Sequence, residues 1–429
     1  MVSPDFIIAH ENDDLAALVL QRDRWPDVDV ALAAECIAAR RKLRLKVPEW
    51  YADPALICPV ALSAEQCSST ATAAYKAAVV CSAVRRSGPS ARGKGPGCVP
   101  QGEPSPGIAP PQAYERHSQL LRLADLTGGL GIDCWQFSKV AGAVLYNEMN
   151  PLLFEAAKAN LPRLGCKNVE YSNICISPET LPALLDSFKP DLVFIDPARR
   201  SEGRKVFLPE DCSPDVLALQ DIILERGCRL MLKLSPMADI SLLLRKFHCV
   251  KELHVVEADG ECKELLLIQE PGFEGEAEIV AGLSFKQSEE RATVPTFISS
   301  IPATRQILFE PGPALMKSGA FNLLSARYGL QKLGSSTHLY ISDNPVAELI
   351  LLGKWFEIQA VASFNKGSLR DFATRWPDAE VSARALPLSS DELRKKMGVK
   401  GGGDVHIFGV GTSQGRLLIA ASKATLDLH

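Results

Sequence analysis

The chain has 429 residues, 46% of them hydrophobic, with 47 Lys and Arg against 51 Asp and Glu for a formal net charge of −4. It is apolar enough for packed cores and longer than one core ordinarily holds, and nucleic-acid binding would need a local basic patch rather than a global one. No apolar run reaches the roughly 18 residues of a membrane span, and no basic segment precedes an apolar one at the N-terminus, so a soluble, cytoplasmic protein is expected.

Residues 1–50 read as a helical region. Leu15, Ala16, Leu18 and Val19, then Ala31, Leu32, Cys36 and Ile37, recur at helical spacing. Arg40, Arg41, Lys42, Arg44 and Lys46 close the second helix. Contact with a polyanion is one use for them; compensation of the helix dipole is the commoner one. An apolar, small-residue helix over 70–84 carries Lys76 and is expected to pack on the following sheet. Residues 85–115 are dense in Pro, Gly and Ser without aliphatic periodicity, which predicts a flexible insert.

From about 118 to 270, strands and helices alternate. Asp125-Leu-Thr-Gly-Gly-Leu-Gly-Ile-Asp133 follows an apolar strand and opens a helix. Gly128, Gly129 and Gly131 permit positive φ and close approach of backbone to a ligand. The next strand, 143–146, runs into Asn147-Glu148, with Glu148 lying 23 positions beyond Asp125, the spacing at which an acidic strand end meets ribose hydroxyls. Asn173 stands at the third strand end. The apolar run 191–195 then ends in Asp196-Pro-Ala-Arg-Arg200, a carboxylate at the carboxyl end of a central strand followed by a stiff turn. A helix over 215–225, a strand over 229–234, a helix over 239–247 and two strands, 252–256 and 264–269, complete the pattern.

This order of Gly-rich loop, acidic second strand end and Asp-Pro on the fourth strand resembles the class I S-adenosylmethionine-dependent methyltransferases. The segments LSAEQCSSTATAAYKA, DLTGGLGID, FIDPARR, LKLSPMADI and ECKELL, with the tail LPLSSDELRKKMGVKGGGD, are together similar to one bacterial family of that class carrying a THUMP-like C-terminal domain. The resemblance implies an α/β, Rossmann-like methyltransferase sheet with an N-terminal helical region and small α+β C-terminal domains. The expected blocks are 1–50, helical; 51–272, methyltransferase, with 85–115 as an insert; 273–330, ferredoxin-like; and 331–429, THUMP-like.

S-adenosylmethionine is the implied cofactor. Asp125, Thr127, Gly128, Gly129, Gly131, Asp133, Glu148 and Asn173 are expected to line its site. RNA, ribosomal or transfer, is the implied partner, because THUMP domains elsewhere bind RNA. The alternatives are a non-catalytic module of the same fold that binds the cofactor or RNA, and a methyltransferase for a small molecule or protein.

Methyl transfer from a sulfonium asks for in-line positioning and, for a poor nucleophile, proton removal. Asp196 with Pro197 stands where the methyl is expected. Ala198 and Arg199 replace the second proline and the aromatic of an Asp-Pro-Pro-Tyr loop, so base stacking needs another residue. Lys233-Leu-Ser-Pro lacks the cysteine that a covalent uridine mechanism requires. Lys76, Asp196, Lys233 and Glu264 (or Glu261) resemble in order the lysine-bearing tetrad of ribose 2′-O-methyltransferases, whereas an ion-pair role for Lys233 and a surface role for Lys76 are the plainer readings.

Arg199 and Arg200 suit phosphate, or local salt bridges. Arg394, Lys395, Lys396 and Lys400 precede Gly401-Gly402-Gly403 and would offer a phosphate contact to RNA. The 12 Cys show no Cys-x-x-Cys pair and no nearby histidine cluster, so reduced thiols and no metal are expected. Oligomeric state is left open.

Overall fold

A computed structural model of the chain describes residues 3–85, 120–199 and 212–425. Nearly all of the expected insert at 85–115, and Arg200, lie outside them. The chain divides into two compact units, Met1–Lys251 with Leu265–Gly275, and Glu252–Glu264 with Glu276–His429.

The first unit opens with helices, among them Leu15–Leu20, Val30–Lys46, Ala61–Gln66 and Thr70–Arg85. Local chemistry sets their starts: the Asp14 carboxylate accepts from Ala16 and Ala17, and that of Asp29 from Leu32, which satisfies N–H groups that a first turn leaves open. Ile7, Leu18, Val30, Cys36 and Ile37 form a small core of their own.

The sheet follows, with strands β1 (Arg122–Asp125), β2 (Ala143–Asn147), β3 (Val169–Ser172) and β4 (Leu192–Ile195). A short β5 (Ala198–Arg199) pairs antiparallel with β6 (Cys212–Ser213). β7 (Arg229–Leu234), β8 (Val250–Ala258) and β9 (Glu261–Gln269) come next. Within this unit the neighbours run β9-β7-β4-β1-β2-β3, parallel throughout except that β9 lies antiparallel to β7. β4 is buried along its whole length, as its continuous apolar run requires of a parallel strand covered on both faces. Chain order reverses at β1, with β2 on one side and β4 on the other, and ligands bind at the carboxyl ends of strands at such a switch point. Trp50, Val80, Leu123, Phe137, Tyr146 and Phe194 belong to the core that joins the Thr70–Arg85 helix to the sheet.

In the second unit, β10 (Glu278–Val280) lies parallel to β8 and antiparallel to β11 (Ser284–Lys286). The remaining strands are β12 (Ile307–Pro311), β13 (Gln331–Gly334), β14 (Thr337–Ser342), β15 (Gly353–Ser363), β16 (Glu380–Arg384), β17 (Val405–Thr412) and β18 (Gly415–Lys423). They form one sheet in the order β13-β14-β12-β15-β18-β17-β16. Strand alternation gives it two cores: Phe408, Val410, Leu417 and Ile419 face one side, and Ile407, Leu418 and Ala420 the other. Leu369 and Phe372 of the Lys366–Arg375 helix, and Leu393 and Met397 of the Ser390–Met397 helix, cover the second side. Among the described residues no helix is long and apolar enough to cross a membrane, and no group of three or more His, Cys, Asp or Glu could hold a metal ion.

Candidate active site

The site is built on the carboxyl ends of β1, β2 and β4. Asp125 ends β1 fully buried. Its Oδ1 accepts from the Thr127 N–H at 3.2 Å, while Oδ2 has no hydrogen-bond partner. Burial pushes this carboxyl well above the usual carboxylate range, and Asp133, Asp196 and Glu148 add to the effect.

After Asp125 the chain turns on glycine. Gly129 and Gly131 have φ of 54° and 92°, and Gly131 N–H donates to the Gly128 carbonyl at 2.8 Å. Gly128 itself is packed against the Tyr146 ring, and a Cβ there would lie 2.1 Å from Tyr146 Cε2. The Tyr146 hydroxyl donates to the Gly129 carbonyl at 2.5 Å, so one side chain both excludes a larger residue and ties the loop to β2. Glu148 fixes the loop from the other side. Its Oε2 accepts from Gly129 N–H at 2.9 Å and its Oε1 from Asn150 N–H at 2.8 Å. Each oxygen keeps acceptor capacity for a ligand hydroxyl.

On the β4 side, the Thr127 hydroxyl accepts from the Asp196 N–H at 2.7 Å, which locks the Asp-Pro turn to the glycine loop. Lys233, on β7, donates to Asp196 Oδ2 at 2.6 Å. A third group comes from upstream. Lys76, fully buried, donates to Ser68 Oγ at 2.9 Å and pairs with Asp133 Oδ1 at 3.2 Å, and Ser68 Oγ donates to Asp133 Oδ2 at 2.8 Å.

These groups surround a cavity of about 250 Å³. Thr127, Gly128, Gly129, Asp133, Glu148 and Asp196 are on its wall. Asp125 is sealed beneath it, and Gly131, Asn173, Pro197, Lys233 and Lys76 do not line it. Glu264, on β9, is buried and belongs to the second unit. Asn173 Nδ2 donates to the Glu148 carbonyl, and Asn147 bridges the Leu126 carbonyl to both the N–H and the carbonyl of Ile174. Both asparagines therefore hold strand ends in register.

Sequence reasoning passed over several wall residues: Met149, the run Ile174-Cys175-Ile176, the segment 63–68 represented by Ser63, Gln66, Cys67 and Ser68, and Ser213-Pro214. Only the apolar residues directly after the third strand end carried a readable local signal.

The basic residues divide. Arg40 donates to the Tyr51 and Asp53 carbonyls, Arg41 to those of Glu11 and Asp13, and Lys42 to Glu65, so these side chains join the N-terminal helices to one another. Arg199 contributes its backbone to the β5–β6 pair. Arg394 pairs with Asp391 at 3.2 Å, while Lys395, Lys396 and Lys400 are exposed. The glycine turn beside them is engaged internally: Gly402 N–H donates to Glu380 Oε1, Lys400 N–H to the Pro377 carbonyl and Gly403 N–H to that of Asp378. The N–H groups of Lys400, Gly402 and Gly403 are thus taken up within the protein.

Residues 308–349 match the family model for a ferredoxin-like domain, beginning and ending later than the expected 273–330, and residues 353–423 match that for a THUMP-like domain. A solved structure of a candidate methyltransferase from Porphyromonas gingivalis W83 is similar over almost the whole molecule, at 28% identity, covering 98% of this chain and 97% of that one with a TM-score of 0.80. Two uncharacterized S-adenosylmethionine-dependent methyltransferases of Mycobacterium tuberculosis, strains CDC 1551 / Oshkosh and ATCC 25618 / H37Rv, are each 25% identical over 290 residues, which is 65% of this chain and 74% of theirs. The architecture is that of a class I methyltransferase sheet carrying ferredoxin-like and THUMP-like domains at its C-terminal end.

Proposed function

We propose that this S-adenosylmethionine-dependent methyltransferase acts on RNA, with Asp196 and Lys233 serving the nucleophile. The cavity residues suit the donor. Glu148 offers two fixed carboxylate oxygens for ribose hydroxyls, Gly128 and Gly129 leave backbone unscreened by side chains, and Met149 with Ile174 and Ile176 supplies apolar wall for a purine. The buried Asp125, whose Oδ2 has no hydrogen-bond partner, lies at the end of β1 where this wall begins. When bound, S-adenosylmethionine supplies an electrophilic methyl group.

The observation that carries the catalytic reading is the 2.6 Å pair of Lys233 and Asp196 at the carboxyl end of β4. Asp196 reaches the cavity, and Lys233 orients it from behind. A carboxylate so placed accepts a proton from an incoming hydroxyl or amine. Ser235 rather than cysteine follows Lys233, which supports a route without a covalent enzyme–base bond. The RNA assignment is supported by the THUMP-like domain and by the exposed Lys395, Lys396 and Lys400.

The test is transfer of labelled methyl from S-adenosylmethionine to total cellular RNA, followed by digestion to nucleosides. Label in a 2′-O-methyl nucleoside or in a methylated base supports the reading and identifies the atom. Absence of label from RNA, with label in protein or small molecules, would overturn the RNA assignment. Replacing Lys395, Lys396 and Lys400 by Glu is expected to weaken RNA binding at every sequence and to lower its salt slope by roughly 2.

A further inference from the structure

We infer that Ser68 and Asp133, set in place by Lys76, receive the α-amino-acid end of the methyl donor; this rests on the reading of the cavity as the S-adenosylmethionine site. In sequence, Lys76 resembles the base of a tetrad with Asp196, Lys233 and Glu264, with a surface role as the plainer reading. Its surroundings point to a different task. The side chain is 0% exposed, and Ser68 and Asp133, which face the cavity, are 5% and 8% exposed. A buried amino group and a buried carboxylate are costly to hold unless each satisfies the other, so this arrangement is specified rather than incidental.

Acceptor capacity is left over on the cavity side. Ser68 Oγ accepts from Lys76 and donates to Asp133 Oδ2, which leaves it one free lone pair. Asp133 Oδ1 is buried and held in the 3.2 Å ion pair to Lys76, so the capacity Asp133 keeps for a ligand is that of Oδ2, whose partner is Ser68. An ammonium group entering the cavity would meet Ser68 Oγ and Asp133 Oδ2.

The position within the site fits. Asp125 feels three carboxylates, those of Asp133, Asp196 and Glu148. The Cys67 thiol, beside Ser68, is pushed up chiefly by burial, and it feels the charges of both Asp133 and Lys233. Ser68, Asp133, Glu148 and Asp196 all line the one cavity. A sulfonium donor has three arms. Glu148 suits the ribose arm and Asp196 stands at the methyl, so the third carboxylate is left for the aminobutyrate arm. Lys76 offsets the charge of Asp133, so that the carboxylate of the same amino-acid end is not repelled. Lys76 is thus a positioning residue, acting through Ser68 and Asp133.

The test compares two ligands by titration calorimetry: S-adenosylhomocysteine, which has the amino-acid end, and 5′-methylthioadenosine, which lacks it. In Asp133→Asn and Lys76→Met, affinity for S-adenosylhomocysteine is expected to fall roughly ten- to a hundredfold while that for methylthioadenosine stays within about twofold. Ser68→Ala, which removes a single hydroxyl, is expected to move the same ratio by a smaller factor. Loss of both ligands in parallel in all three variants, or no loss of either, would overturn the assignment. A parent protein that binds neither ligand would overturn the donor reading itself.

Discussion

Lys233 and Asp196 are joined at 2.6 Å across neighbouring strands, the lysine on β7 and the carboxylate just beyond the end of β4. Both are partly accessible, with side chains 18% and 29% exposed, as a group that must meet a substrate needs to be. If the carboxylate accepts the proton and the lysine orients it, Asp196→Asn and Lys233→Met should each lower single-turnover rates roughly 10²- to 10⁴-fold with S-adenosylhomocysteine affinity little changed. The double variant should be no slower than the worse single one, because the two act as a unit. Additive losses in the cycle would separate their roles.

Glu148 presents the contrast to Asp133. Each of its oxygens holds a backbone N–H, so Glu148→Ala removes the proposed ribose receptor and leaves the Gly129 and Asn150 N–H groups without it. Binding should weaken by about 1–3 kcal/mol. Unlike the change at Asp133, it should weaken S-adenosylhomocysteine and methylthioadenosine alike. Unchanged calorimetric affinity for both would remove Glu148 from the site.

Gly128 is constrained by space rather than by φ. A Cβ at that position overlaps the Tyr146 ring, so Gly128→Ala should cost roughly 1–3 kcal/mol in urea unfolding, the usual scale of overpacking. Adding Tyr146→Leu should return part of that loss by vacating the ring. A single variant as stable as the parent would mean that Tyr146 moves aside freely.

Asp125 gives a pH dependence with a definite sign. Its carboxyl is raised in the folded chain, chiefly by burial, so folding favours the protonated form. That contribution is present below the ordinary carboxyl value of about 4 and is lost as pH rises toward the folded value. Asp125→Asn keeps an acceptor for the Thr127 N–H and cannot ionise. The ligand-free variant should therefore melt higher than the parent at neutral pH, with the gain shrinking toward acid. A melting difference independent of pH would show that the carboxyl does not titrate in that range.

Much of the fold was legible because it rests on local chemistry. A helix expected over 215–225 forms over Val216–Leu224, and the run 229–234 forms β7 as expected, since hydrophobic period and capping residues act within a few positions. The glycine loop was readable for the same reason, as left-handed backbone at Gly129 and Gly131 follows from residue type. Glu148 and Asp196 were readable because the end of a parallel strand in this topology is a place with known neighbours.

What the tertiary structure decided depends on contacts between distant segments. Nothing near Ser68 says that it meets Asp133, 65 positions on, or that Lys76 closes the group from behind. Asn147 and Asn173 look alike as polar residues at strand ends, yet packing makes both braces, and only Asn147 also reaches the cavity wall, beside Ile174 and Ile176. The glycine turn at 401–403 reads as a phosphate contact until Glu380, at the start of β16, is found holding Gly402. Periodicity and turn chemistry are written along the chain, whereas the partner of a buried charge is chosen only when folding brings that partner within hydrogen-bond reach.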